Sequence, residues 1–225
     1  MKKADATLGG HSSSQINAEI ISETTSVIIR KSDLKKVPWK NGLGVTEVIA
    51  CDTTNTPFLW RLSAAVISES APFSEYLGYN RFLTLIEGKE LLLQFETSEY
   101  LLEFGKVAHF SGDYPTQAEI PKGVVPESVI KDVGLIYLRD LIDADFQVFE
   151  IRKKPKSFTL KGSTCFVYVQ SGEVTASLYP GERKFKLKSG DTLRLDSQKC
   201  EEHLFLLEPK ESARVVLIEI SPRKL

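Results

Sequence analysis

Two glycine-marked strand pairs recur in this chain at nearly one offset, and no other feature limits its fold as much. "RFLTLIEGKELLLQF" followed by "LEFGKVAHF" parallels "CFVYVQSGEVTASLY" followed by "LKSGDTLRL". Gly88 and Gly172 lie 84 residues apart, and Gly105 and Gly190 lie 85 apart. The two copies therefore stay in register through a strand, a turn and a second strand, with glycine where the backbone needs a positive φ. Around them run further short segments of β type separated by turn residues: "VTEVIAC", "FLWRLSAAV", "VGLIYL", "FQVFEI", "HLFLLE" and "ARVVLIEI". No stretch sustains an amphipathic helix of three turns. The expectation is an all-β chain built as two tandem jelly-roll barrels, with residues 26–145 as the first half, 146–225 as the second, and strand exchange between halves allowed. Residues 1–25, rich in Ser, Thr and Gly, read as a flexible tail, with structure starting near "SVIIR".

Composition narrows the partners. The 225 residues carry 29 basic and 30 acidic side chains, a net charge of −1, and the densest basic run is "IRKKPK" at 151–156. Nucleic acid is excluded as the main partner, because phosphate binding needs concentrated positive charge. The basic run reads as a solvated loop, and "VFEIRKKPK" as a linker between halves. No apolar run approaches the roughly 20 residues that cross a bilayer, and no apolar core follows the first lysines, so a cytoplasmic protein is expected. Cys51, Cys165 and Cys200 form neither a disulfide framework nor a CxxC site and read as small core hydrophobes.

Strand alternation supplies the first candidate site. In "FLWRLSAAV", Phe58, Trp60, Leu62, Ala64 and Val66 share one face, and Arg61 and Ser63 point together from the other. A barrel-facing Arg61 would need an anionic partner. In "VPWKNGLGVTEVIA", Trp39 offers a rigid wall, Lys40 a cation, Asn41 a donor and an acceptor, and Gly42 a close backbone approach. Thr46 and Glu47 take opposite faces of the next strand; Thr46 is placed inward.

The strand, Gly, strand, Gly-Asp repeat resembles the cupin superfamily, whose barrels usually hold a metal on His and Glu side chains. Those ligands are missing here. Seven residues before Gly88, where the family has its Glu, stands Arg81; the matching position before Gly172 is Cys165. The His-x-His positions fall near Ser74 and Tyr76, or Phe158 and Leu160. The only histidines are His11, His109 and His203, and His109 and His203 read as structural. The expectation is a metal-free bicupin with no cofactor, in which Arg81 suits an anion.

Taken together, P-W-K-N-G at 38–42, W-R-x-S at 60–63, P-F-S at 72–74, G-x-x-R at 78–81 and F-x-G-D at 110–113 make the chain similar to the HutD/Ves family of bicupins. The resemblance covers residues from about 30 to 220. It implies a regulatory or sensing role in histidine utilisation and an N-formylglutamate-like ligand. It departs at Leu43, where the family commonly has Gly, and at Val133 and Gly134, where the family follows its Asp with Phe-Asn. The expected ligand-binding set is Trp39, Lys40, Asn41, Gly42, Thr46, Arg61, Ser63, Phe73, Arg81 and Asp132, a net-cationic pocket for a small acidic metabolite in a monomer or homodimer, with no catalytic residue assigned. Two other readings stay open. One is an enzyme (hydrolase, deiminase or isomerase) drawing acid and base from Glu47, Asp113, Asp132, Lys40 and His109; the other is a protein-interaction module using "VFEIRKKPK".

Overall fold

A computed structural model describes residues 24–39, 44–53, 57–121, 129–179, 183–197 and 202–224. Alternating apolar and polar residues give strands throughout, and the sole helical piece among these residues is the 3-10 turn Lys31–Asp33. None of the described helices is long and apolar enough to cross a membrane. The first strands are β1 (Thr24–Ile29), β2 (Lys36–Pro38), β3 (Gly44–Cys51), β4 (Trp60–Ile67), β5 (Ala71–Pro72), β6 (Tyr79–Glu87), β7 (Glu90–Gln94), β8 (Glu99–Glu103), β9 (Val107–Ser111) and β10 (Gln117–Glu119). They continue with β11 (Ile130–Leu138), β12 (Ile142–Arg152), β13 (Lys156–Leu160), β14 (Thr164–Ser171), β15 (Glu173–Tyr179), β16 (Arg183–Lys188), β17 (Thr192–Ser197), β18 (His203–Pro209) and β19 (Ser212–Pro222).

The internal repeat is visible in the topology. One pair of sheets has the orders β2-β3-β4-β11-β6-β9 and β5-β10-β7-β8; the other has β1-β17-β14-β19-β12 and β13-β18-β15-β16. Read from β4 and from β12, the large sheets share a four-strand order, β4-β11-β6-β9 and β12-β19-β14-β17; β2 and β3 extend the first beyond β4, and β1 extends the second beyond β17. The small sheets correspond strand for strand as well. The turn glycines take the expected backbone: Gly88, Gly105, Gly172 and Gly190 have φ of 95°, 80°, 83° and 87°.

Three apolar cores follow from the faces of these strands. The small second barrel is filled by Val167, Val169, Phe205, Leu207 and Val215 among others. The first barrel holds Ile67, Leu85, Leu91, Leu93, Leu102 and Ile130. Between the two large sheets lies a third core that includes Trp60, Leu62, Val133, Leu135, Phe166, Tyr168 and Ile218. Here Trp60 meets Phe166 edge to face, ring centres 5.5 Å apart. The outward face of each large sheet is thus buried against the other barrel, which leaves the inward face of β4 free to carry polar groups.

Two expectations need correcting. The segment "VFEIRKKPK" is not a linker between halves, and its basic run is not simply a solvated loop. Residues 148–152 belong to β12, which pairs with β19 over its whole length and buries Ile151. Only Lys153–Pro155 make the turn into β13, with Lys153 at φ 59°. The β segment "FQVFEI" thus runs on through Arg152, and the lysines that follow it begin at the turn. The N-terminal strand β1 pairs with β17 and packs Ile28 on the second core.

The two kinds of turn glycine should differ in cost. A Cβ on Gly105 would meet only the movable end of Arg214, at 3.5 Å, whereas one on Gly172 would collide with the Ser212 carbonyl oxygen. Gly105→Ala should cost about 1–2 kcal/mol for its left-handed backbone, and Gly172→Ala about 1–3 kcal/mol more for displacing β19. Urea unfolding of both variants checks the order.

Candidate functional site

The register of the large first sheet assembles the site. On β11, Ile136 pairs with Arg61 on one side and Arg81 on the other, Gly134 with Ser63 and Leu83, and Asp132 with Ala65 and Leu85. Residues two apart on a strand share a face, so all of these side chains point into the first barrel. All but Leu85, which is packed in the first core, line a cavity of about 640 Å³ together with Trp39, Thr46, Phe73, Ser74, Tyr76 and Phe110. Of the residues expected from the sequence, Trp39, Thr46, Arg61, Ser63, Phe73, Arg81 and Asp132 meet here. Lys40, Asn41 and Gly42 lie outside the described residues.

Each sequence motif has a local task. The Trp39 indole donates from Nε1 to Thr46 Oγ1 at 2.7 Å. Its ring lies so close to Gly44 that a Cβ there would be 2.7 Å from it, which explains the second Gly of the Gly-Leu-Gly. The loop that joins β5 to β6 carries Phe73, Ser74 and Tyr76, and the F-x-G-D segment pins it. Tyr76 N donates to Gly112 O at 2.8 Å, Gly112 N donates to Tyr79 O at 2.7 Å, and Asp113 Oδ1 accepts from Gly78 N at 2.6 Å. Asp113 also bridges to Arg139 at 2.6 Å, and that hydrogen bond holds its carboxyl below the usual range. Asp113 is therefore a clasp on the loop and does not line the cavity.

Tyr76 is the residue that strand reasoning missed, because it sits in an irregular loop. Its hydroxyl accepts from Arg61 Nη2 at 2.8 Å. Its ring centre lies 5.3 Å from the Arg61 guanidinium and 5.0 Å from that of Arg81, so one ring serves both cations. Arg81 further donates to the Ser74 carbonyl oxygen and sits 5.6 Å from the Phe73 ring centre. The Nε atoms of Arg61 and Arg81 are both buried with no hydrogen-bond partner, although buried polar groups are normally satisfied. Two signals in the sequence bore on it: Tyr76 falls between P-F-S and G-x-x-R, and near a position where cupins have a His ligand.

Burial sets the protonation of the site. It pushes the Asp132 carboxyl up to about 7 in spite of the attraction of Arg81. Burial likewise draws Arg81 down to about 10, with Tyr76 and Asp132 opposing and Arg61 assisting, so it stays a cation at neutral pH. No ion pair joins Arg81 to Asp132 among the described residues; desolvation outweighs their mutual attraction on both groups.

The other titrating candidates lie elsewhere. Glu47 faces outward, 3.8 Å from Lys36. His109 stands on the opposite face of β9, stacked on Phe82 at 4.2 Å and 2.9 Å from the Tyr137 hydroxyl. His203 is buried beside Thr24, 2.9 Å away. A divalent metal does not fit the donor set: two guanidiniums face the cavity with one carboxylate, and no three of His, Cys, Asp and Glu cluster among the described residues. Cys165, the counterpart of Arg81, is buried in the second core with its thiol pushed up to about 12.

The raised carboxyl has a consequence for stability. The folded protein holds the Asp132 proton up to about pH 7, while the unfolded chain releases it near 3.8. Stability is thus lost as pH rises from about 4 to 7, by roughly 3–5 kcal/mol in all. Asp132→Asn should flatten this fall, so that urea unfolding at pH 4.5, 6 and 7.5 shows the variant gaining on the wild type with pH. Parallel curves would contradict the assignment.

Comparison with known proteins bears on the family and the fold. A family model described as HutD matches residues 31–214. The chain is 34% identical over 200 residues to an uncharacterised 21.2 kDa protein in the hutC 3′ region of Pseudomonas putida, covering 87% of this chain and 97% of that one. It is 32% identical over 146 residues to protein Ves of Citrobacter koseri, covering 62% and 72% respectively. The structure of HutD from Pseudomonas fluorescens SBW25 superposes with a TM-score of 0.75 at 28% identity, over 89% of this chain and all of that one. A cupin 2 conserved barrel protein from Leptotrichia buccalis, 12% identical, matches at a TM-score of 0.54 over 90% and 99% and shows the fold alone. By model match, identity and superposition, this chain belongs to the HutD family and has its cupin fold.

Proposed function

We propose that the first barrel binds a small carboxylate metabolite, of the N-formylglutamate type, without a metal, and that occupancy serves a regulatory or sensing role in histidine utilisation. One observation carries the reading: Arg61 and Arg81 flank Ile136 on the inward face, share Tyr76, and each keeps a buried Nε without a partner. A carboxylate accepts two parallel hydrogen bonds from such a fork, and out of water those bonds are strong. The aromatic and apolar walls of Trp39, Phe73 and Phe110 suit a ligand with a short carbon chain. The connection to histidine utilisation rests on membership of the HutD family.

An enzyme acting on a histidine-degradation intermediate is the second reading, and Asp132 favours it, since a carboxyl titrating near neutrality can serve as acid or base. Among the described candidates it stands alone: Glu47, Asp113 and His109 do not line the cavity. A binder needs no second group, so binding is the simpler account. The interaction-module reading keeps an exposed basic surface at residues 152–156, but no observation favours it over the cavity.

Calorimetric titration of chelator-treated protein with N-formylglutamate, formiminoglutamate, urocanate, histidine and glutamate tests the proposal. Saturable binding of an acidic compound is expected, weakened about 10- to 100-fold in Arg61→Ala, which corresponds to losing charged hydrogen bonds of about 1.5–3 kcal/mol. The ligand should be recovered unchanged. Binding that survives Arg61→Ala and Arg81→Ala would contradict the reading, and conversion of the ligand would favour the enzyme.

A further inference from the structure

The first barrel has an open edge that the second barrel closes. In the second barrel β17 would end the large sheet, but β1 covers it, pairing antiparallel from Thr24↔Ser197 to Ile29↔Thr192. Across the gap, Arg183 at the start of β16 donates to the Thr24 carbonyl oxygen at 2.8 Å and to Ser26 Oγ at 3.3 Å. An extended segment thus fills the opening between β16 and β17. The matching strands of the first barrel are β8 and β9, each the last of its sheet, and among the described residues no strand lies beyond β9. A groove of about 730 Å³ remains between them.

β9 lacks the devices that usually protect a free edge. Its sequence, "VAHFS", has no lysine and no proline, and its pairing with β6 runs from Asn80↔Ser111 to Thr84↔Val107 without a bulge. Aromatic rings flank it: Tyr100 is 41% exposed and Tyr114 59%, and Phe95 meets Phe110 edge to face in the groove. A strand laid on β9 would pair with its outward backbone groups and cover these rings. The rim decides what such a strand carries. At the 85-residue offset set by Gly105 and Gly190, Ser98 and Glu99 stand where β16 has Arg183 and Lys184. Glu96 and Glu99 line the groove, are exposed, and form no ion pair among the described residues. The cationic rim that holds β1 is therefore matched here by an anionic one, which favours a segment of opposite charge.

We propose that this groove docks an extended segment of another protein, added antiparallel to β9 as β1 is to β17. The segment carries Lys or Arg near its N-terminal end, against Glu96 and Glu99, and apolar side chains on the aromatic walls. Its polarity follows from β1, whose first residue faces Ser197. The same offset puts Gly112 at that place, just past the end of β9 where Phe110 meets Phe95, the neighbour of Glu96. A gap between two strands takes one strand more readily than a second copy of this chain, whose β9 arrives with its own β8 attached. The groove is separate from the carboxylate pocket, and Phe110 is the one residue common to the two linings.

The test uses the full chain, isotope-labelled for NMR, and two end-capped peptides that vary the β1 sequence, KKSVII and EESVII. KKSVII should bind saturably, about tenfold or more tighter than EESVII, and the amide signals that move should be those of Val107–Ser111. Those amides should also exchange with solvent about tenfold or more slowly in the complex. The double variant Glu96→Lys, Glu99→Lys changes two exposed residues outside the carboxylate cavity. It should reverse the order of the peptides and leave thermal unfolding unchanged. If KKSVII does not bind, or shifts signals elsewhere, the proposal is overturned. It fails equally if both peptides bind alike in the wild type and the double variant, since charge then plays no part. If the free chain sediments as a dimer whose β9 amides are already protected, the occupant is a second copy and the proposal fails.

Discussion

A pair of guanidiniums inside a small β-barrel, Arg81 buried and Arg61 half-buried, is the constraint that the rest of the first half serves. Removing such a cation from water is expensive unless its donors are met. Arg61 and Arg81 are met in part by one tyrosine ring, one tyrosine hydroxyl and one carbonyl oxygen. Those acceptors lie on an irregular loop, and the loop keeps its shape because the Gly112 backbone and the Asp113 carboxylate hold it by hydrogen bonds. Motifs scattered over more than fifty residues of sequence thereby converge on one task. What they leave unmet, a buried Nε on each arginine, is the capacity available to a ligand.

The duplicated topology provides an internal control. Both barrels use the same strand order and the same positive-φ turn glycines, yet one interior is packed with aliphatic and aromatic side chains and the other is partly hollow and charged. The difference comes down to a few inward positions. Cys165, Leu217 and Val215 close the second barrel, and Arg81, Gly134 and Asp132 open the first. The second barrel and the apolar seam between the large sheets supply the rigidity on which a polar interior depends. Cupin barrels that hold a metal use their inward face for His and carboxylate ligands; here the inward face carries two guanidiniums, whose charge suits an anion better than a cation.

Much of this was legible in the sequence, for identifiable reasons. Period-two alternation in "FLWRLSAAV" put Arg61 and Ser63 opposite Trp60, and the structure buries Trp60 in the seam and turns Arg61 into the barrel. The turn glycines showed through because only glycine adopts their φ cheaply. Edge strands such as β13 and β16 were not legible, since Lys156, Lys184, Lys186 and Lys188 mask alternation that only Phe158, Phe185 and Leu187 carry. Pairing partners were hidden for another reason: nothing local in "TTSVII" tells β1 to join β17. Tyr76 escaped because its position is fixed by hydrogen bonds from a distant turn, which no periodicity encodes.

The most direct test of the central claim is a crystal structure of the chelator-treated protein with a bound carboxylate compound from the titration series. The account predicts the carboxylate inside the first barrel, with oxygens within hydrogen-bond distance of Arg61 Nε and Arg81 Nε and no metal bridging them. A ligand lodged elsewhere, or the same pocket with both Nε atoms still without partners, would contradict it.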